Sequence, residues 1–205
     1  MSTETPLGRK AMPAKCRSCN RPMYSPLFCA DCRTLHPAEG VDHFALLGVS
    51  ASYDLDPAEL RQAYLHCSRD IHPDRHGECA ADAALSMRSS ARLNEAYRVL
   101  NDPVLRAEYL LELAGGASSA EDKSVPEGVL AQVLILREEI EEARAAGDAV
   151  TLTNYVRQVH ELHEDAVGRL GDLARQLPGT EELRQSLRQT LNAVRYYQKL
   201  LEQIQ

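Results

Sequence analysis

Proline at position 73 is the residue that most restricts what this chain can become. Its ring fixes φ, removes a backbone donor and turns the preceding His72 away from the α region, so a helix arriving from Asp56 must end here. Leu60, Tyr64, Cys67 and Ile71, spaced four, three and four, place one apolar stripe on that arriving helix. A second helical pattern begins near Ala80 and carries Leu93, Ala96, Tyr97 and Leu100 at core spacing. Two helices that bury facing stripes on either side of a sharp break form an antiparallel hairpin, with Ile71-His72-Pro73-Asp74-Arg75 at its tip. The imidazole and carboxylate left on that bend have three uses open to them: docking, metal binding or plain connection.

Helix formers dominate the rest, and aromatic residues are few (no Trp, two Phe, eight Tyr among 205), which points to an all-α fold over a sandwich or barrel. The net charge of −7 opposes generic attraction to nucleic acid or an anionic membrane. No stretch approaches the roughly 18 to 20 apolar residues that span a bilayer. Residues 1–15 lack the apolar core of a secretory signal and the arginine density of a transit peptide, and are expected to be flexible; a cytoplasmic location follows.

In a reducing compartment the cysteines favour metal binding over disulfides. Cys16, Cys19, Cys29 and Cys32 form C-x2-C, nine residues, C-x2-C, so each pair offers two sulfurs from a tight knuckle and four thiolates close a tetrahedral site for Zn²⁺. A redox dithiol pair and an iron site are the alternatives. Lys15, Arg17, Arg21 and Arg33 compensate the excess negative charge of such a centre, and the metal supplies folding energy that so small a module lacks. His36 could replace a sulfur, although four cysteines suffice.

Taken in order, the expected organisation is a knuckle over residues 16–36, a helical module over 41–116, a linker over 117–125 and a three-helix bundle over 126–205. Asp42 and Asp56 are N-caps, Gly48 a helix stop, and Asn101-Asp102-Pro103 a break before a further short helix. In the bundle, Val129, Val133, Leu136, Ile140 and Ala143 form one stripe; Leu152, Tyr155, Val159, Leu162, Ala166, Leu170, Leu173 and Leu177 the next; Leu183, Leu187, Leu191, Val194, Leu201 and Ile204 the third. Leu130, Leu134 and Ile135, beside Glu138 and Glu142, are surplus to these stripes, as Tyr196 and Leu200 are on the last helix. They either face a partner or are covered by the first module.

The leading short helix, the basic outer face ahead of His72-Pro73-Asp74 and the Asn94-Glu95-Ala96-Tyr97 run together resemble a J domain. That resemblance implies that His72, Pro73 and Asp74 engage a chaperone ATPase of the seventy-kilodalton heat-shock class and stimulate it, with Arg61, His66 and Arg69 as electrostatic contacts. The basic run is thin, since Gln62 and Asp70 interrupt it. Leu105-Arg106-Ala107-Glu108-Tyr109-Leu110-Leu111 and Leu136-Arg137-Glu138-Glu139-Ile140, followed by the bundle, resemble the HscB-type co-chaperones of iron-sulfur cluster assembly. Carried over, this implies that Leu130, Ala131, Leu134, Ile135, Glu138, Glu142 and Tyr196 bind an IscU-type scaffold protein, that the chain itself is no enzyme, and that the cysteine extension is like that of some eukaryotic members. Ala131 is smaller and Ile135 more apolar than that pattern. An oligomer through the knuckle stays open, as do a general J-domain co-chaperone with another client and a zinc-ribbon regulatory or nucleic-acid-binding protein. A hydrolase metal site on the His72-x-Asp74-x-His76 spacing has the wrong context, a helical hairpin with proline between the ligands.

Overall fold

The described residues form seven α-helices: α1 (His43–Leu47), α2 (Pro57–Asp70), α3 (Ala80–Asn101), α4 (Pro103–Leu113), α5 (Val129–Ala146), α6 (Ala149–Ala174) and α7 (Glu181–Ile204), with a 3₁₀ turn at Pro73–Arg75. This computed structural model describes residues 13–76 and 79–204; residues 1–12 of the segment expected to be flexible lie outside them. The described residues contain no strand, only isolated bridges between Lys15 and Pro22 and between Phe28 and Leu35. None of their helices is long and apolar enough to cross a membrane.

The helix boundaries follow from local chemistry. Asp42 accepts the Ala45 amide at 2.9 Å, Asp56 the Ala58 amide at 2.8 Å and Asp102 the Val104 amide at 2.8 Å, each satisfying a donor that the first helical turn leaves open. Pro57 and Pro103 stand at first helical positions, where no amide bond is lost. The α5–α6 turn rests on Gly147, whose φ of 67° lies in the left-handed region, and on Asp148, which accepts the Thr151 amide at 3.1 Å.

Chain contacts divide the molecule into two compact units, residues 1–106 and 107–205, so the boundary falls inside α4. In the first, α2 packs on α3, and Leu60, Cys67 and Ile71 of the α2 side are buried, as are Leu93, Ala96 and Leu100 of α3. Tyr64 fastens the pair: its ring stacks on Tyr97 at 4.5 Å, and its hydroxyl donates to Asn94 at 2.9 Å. Arg106 secures the start of α4, with Nε donating to the Leu100 carbonyl at 2.8 Å, Nη1 donating to the Tyr53 carbonyl, and the guanidinium 5.5 Å from the Tyr53 ring centre. In the second unit, the core consists of Val133, Leu136 and Ile140 from α5, Val159, Ala166 and Leu170 from α6, and Leu187, Leu191 and Val194 from α7. Glu108 also belongs there: Arg188, 1% exposed, donates to it at 3.0 Å, and Arg195 reaches its other oxygen.

Candidate functional site

Two knuckles of the same construction gather the cysteine sulfurs. In the first, the Asn20 amide donates to the Cys16 carbonyl at 2.9 Å and the Cys16 amide to the Arg21 carbonyl at 2.8 Å; in the second, the Arg33 amide donates to Cys29 at 2.9 Å and the Cys29 amide to Thr34 at 3.0 Å. The residue after each second cysteine turns left-handed, Asn20 at φ 60° and Arg33 at φ 62°. All four sulfurs lie within 4.8 Å of one another, and Cys16–Cys32 and Cys19–Cys29 are 3.6 Å apart. A tetrahedral zinc with bonds of about 2.3 Å separates its sulfurs by about 3.8 Å, whereas a disulfide holds them at about 2.05 Å. The donor set therefore fits a closed four-thiolate metal centre. His36 does not replace a sulfur; its Nε2 lies 3.4 Å from Cys16 Sγ, the position of an outer hydrogen-bond partner.

Charge gives the same result. The Thr34 hydroxyl and amide bring the Cys32 thiol down to about 6. Cys19 is pushed up to about 12: hydrogen bonding from the Arg21 amide acts downward, and desolvation with the three neighbouring sulfurs outweighs it. Four thiolates this close ionise together only around a cation.

The bend leaves its polar groups in solvent. His72 Nδ1 accepts the Asp74 amide at 3.2 Å and so caps the turn that Pro73 begins. The side chains of His72 and Asp74 are 53% and 88% exposed, so neither is held by the core. Ser86 of α3 donates its buried hydroxyl to the Ile71 carbonyl, anchoring the end of α2 beside the bend. His76 Nε2 sits 2.8 Å from the Asp70 carbonyl, and since a carbonyl only accepts, that nitrogen carries the proton. Among the described residues the only metal-ligand cluster is the four cysteines; His72, Asp74 and His76 do not form one.

At 100° per residue, Arg61, His66 and Arg69 fall within about 140° of the α2 circumference, and all three are exposed. Leu65, 39% exposed, lies in the middle of that sector and is missed when apolar residues are sought only on core stripes. Asp70 is likewise more than an interruption of the basic run. Its side chain is only 11% exposed; Oδ1 accepts Arg33 at 2.7 Å and Arg75 at 3.3 Å, and Oδ2 lies 3.6 Å from His66 Nε2.

On α5, Leu130, Ala131, Leu134, Ile135, Glu138 and Glu142 occupy a sector of about 140° opposite the buried stripe. All are exposed; Leu130, Leu134 and Ile135 are 49%, 59% and 55% accessible. The structure sets Tyr196 in other surroundings: it lines a concavity of about 240 Å³ with Ser119, Lys123, Asn192, Arg195 and Lys199, and no α5 residue. Leu200, a surplus residue by its spacing, is corrected to the core at 1% exposure.

The DnaJ domain family matches residues 42–109, and the family described as HSCB C-terminal oligomerisation domain matches residues 125–205. A co-chaperone protein HscB homolog from Azoarcus sp. (strain BH72) is 35% identical over 141 residues, covering 64% of this chain and 79% of that protein. The chain belongs to the HscB co-chaperone family. The HscB homolog of Bordetella parapertussis is 42% identical over 105 residues, 50% of this chain; the matched segment spans 62% of that relative's length. The fold is that of solved HscB structures, with TM-scores of 0.77 to human co-chaperone protein HscB and 0.67 to chaperone HscB from Vibrio cholerae, both at 23% identity. The human structure covers 93% of this HscB-family chain and the Vibrio structure 80%. Both family matches begin after the cysteine knuckles.

Proposed function

We propose that this HscB-family chain is a co-chaperone that stimulates the ATPase of a seventy-kilodalton class chaperone and delivers an iron-sulfur scaffold protein of the IscU type to it. The observation that carries the reading is the bend: His72 and Asp74 stand exposed on either side of the half-buried Pro73 at the tip of the hairpin, in a turn that the His72 side chain itself caps. Groups fixed in geometry and free of internal partners in the core are suited to contact another protein. The exposed cations of α2 add steering toward an acidic partner. Chemistry on ATP belongs to the partner; the role of this chain is to bind and position.

The α5 sector is the proposed scaffold surface. Three exposed aliphatic side chains flanked by carboxylates make an apolar centre with an acidic rim. Tyr196 belongs to the proposed set by family resemblance, and its basic surroundings give it a weaker claim than the α5 residues. The four cysteines would hold zinc, which supplies structural closure and no reactive position.

The deciding experiment is steady-state ATP hydrolysis by a purified chaperone of this class with scaffold present. His72→Gln keeps a polar side chain but loses the imidazole, and stimulation is expected to fall at least tenfold, about 1.4 kcal/mol. Equal stimulation by both proteins would remove the ATPase role. Leu134→Ala combined with Tyr196→Ala is expected to weaken scaffold binding by about 1–3 kcal/mol with helicity unchanged. Unchanged affinity in titration calorimetry would return the α5 sector to ordinary surface.

A further inference from the structure

We propose that the cysteine knuckle contributes directly to the chaperone-docking face, by presenting Arg33 beside the bend as a second cationic arm that pairs with Arg75 to receive an acidic side chain of the chaperone ATPase. This rests on the co-chaperone reading above and extends the docking face beyond the J domain.

Three observations lead to Arg33. It occupies a left-handed backbone position at φ 62°, where a residue with a long side chain is disfavoured by about 1 kcal/mol or more; the matching position of the first knuckle holds Asn20, a residue that tolerates this region well. Its guanidinium crosses to the hairpin and meets Asp70 at 2.7 Å while staying 62% exposed. Arg75, one residue after the tripeptide and 57% exposed, shares the same carboxylate oxygen at 3.3 Å. Each guanidinium has five donors, so the one largely buried carboxylate of Asp70 leaves most of them available.

The two arginines line a concavity of about 280 Å³ with Cys32, Thr34, Leu35, His76 and Asp82. Asp82 is the one other carboxylate there and is exposed; it acts as a local competitor for an incoming acid. With Arg69 and His66 on α2, Arg33 makes up for the charge that Gln62 and Asp70 remove from the basic run.

The test is binding of the full metal-loaded chain to a purified chaperone ATPase of the seventy-kilodalton class across a salt series. Arg33→Asn preserves the left-handed turn and removes the charge; affinity is expected to fall about three- to tenfold at low salt, with the difference closing as salt rises. Arg75→Gln should show a similar loss, and Asp82→Asn a twofold or greater gain. Arg33→Lys should recover part of the affinity. The proposal is overturned if Arg33→Asn and Arg33→Glu bind within twofold of wild type, or if the loss is the same at every salt concentration, which marks a structural role. Should Arg33→Asn lose its metal, Arg75→Gln and Asp82→Asn decide: no change in both overturns the proposal, and the expected loss and gain support it. A wild-type chain that neither binds nor stimulates the ATPase defeats the co-chaperone reading itself; one that does so through His72 but not Arg33 defeats only this extension.

Discussion

Glu108→Ala is expected to destabilise the helical bundle by about 3–5 kcal/mol, the loss seen when a buried charge keeps its desolvation but loses its partner. Arg188 is 1% exposed, and its Nε and Nη2 have no hydrogen-bond partner, so Glu108 is what balances it. Arg195 draws on the same carboxylate, leaving two guanidiniums facing each other once it is gone. Amide exchange of α7 in the full chain gives the free energy of local opening without assuming that both units unfold together. The paired change Glu108→Leu with Arg188→Met should regain most of the loss, because replacing both partners of a buried pair by apolar groups is often neutral. A loss below about 1 kcal/mol for Glu108→Ala would mean that Arg188 reaches another acceptor when the helix shifts.

Metal removal is expected to unfold the knuckles. Structural zinc in modules of this kind carries apparent binding energies of about 10–16 kcal/mol near neutral pH, and that energy is folding energy. Chelation, or Cys29→Ser at a fully buried member of the cysteine cluster, should abolish exchange protection at the amides of Cys16, Asn20, Cys29 and Arg33, whose bonds define the two turns. Metal analysis of the purified chain should give one ion per molecule for the wild type and a colourless product if the ion is zinc. The sign of the pH effect follows from the thiols. Each sulfur binds as the thiolate, and Cys19, pushed up to about 12, must give up its proton for a metal to bind, so affinity falls as pH falls. Knuckle amides that stay protected after complete chelation would show that Met23, Leu27, Phe28 and Leu35, all buried, hold this segment without a metal.

Much of the fold is legible in the sequence, for physical reasons. Proline at 73 and apolar stripes of period 3.6 are local signals, so the hairpin and the three bundle helices follow from neighbouring residues alone. The cysteine spacing is as local, since each pair closes its own turn. What the sequence hides are side chains whose partners are far along the chain. Asp70 reads as a defect in a basic run until Arg33, 37 positions earlier, arrives on it. Glu108 and Arg188 are separated by 80 residues, and nothing near either announces a buried ion pair. Leu200 lies off the simplest heptad count, yet α7 buries a wide arc that includes Tyr197, Leu200 and Leu201. Tyr196, its neighbour, stays half outside that arc, and no spacing rule separates the two.

The exposed sector of α5 has a consequence for the chain when it is alone. Leu130, Leu134 and Ile135 form an adhesive strip that any other copy of the molecule could also cover. Glu138 and Glu142 sit beside it on a molecule of net charge −7, so two approaching strips bring like charges together before their aliphatic groups touch. Besides forming the rim proposed above, the carboxylates would therefore oppose self-association, and that opposition is electrostatic, weakening as ionic strength rises. Neutralising them would do more than alter recognition: it would lower the concentration at which the unaccompanied protein remains dispersed.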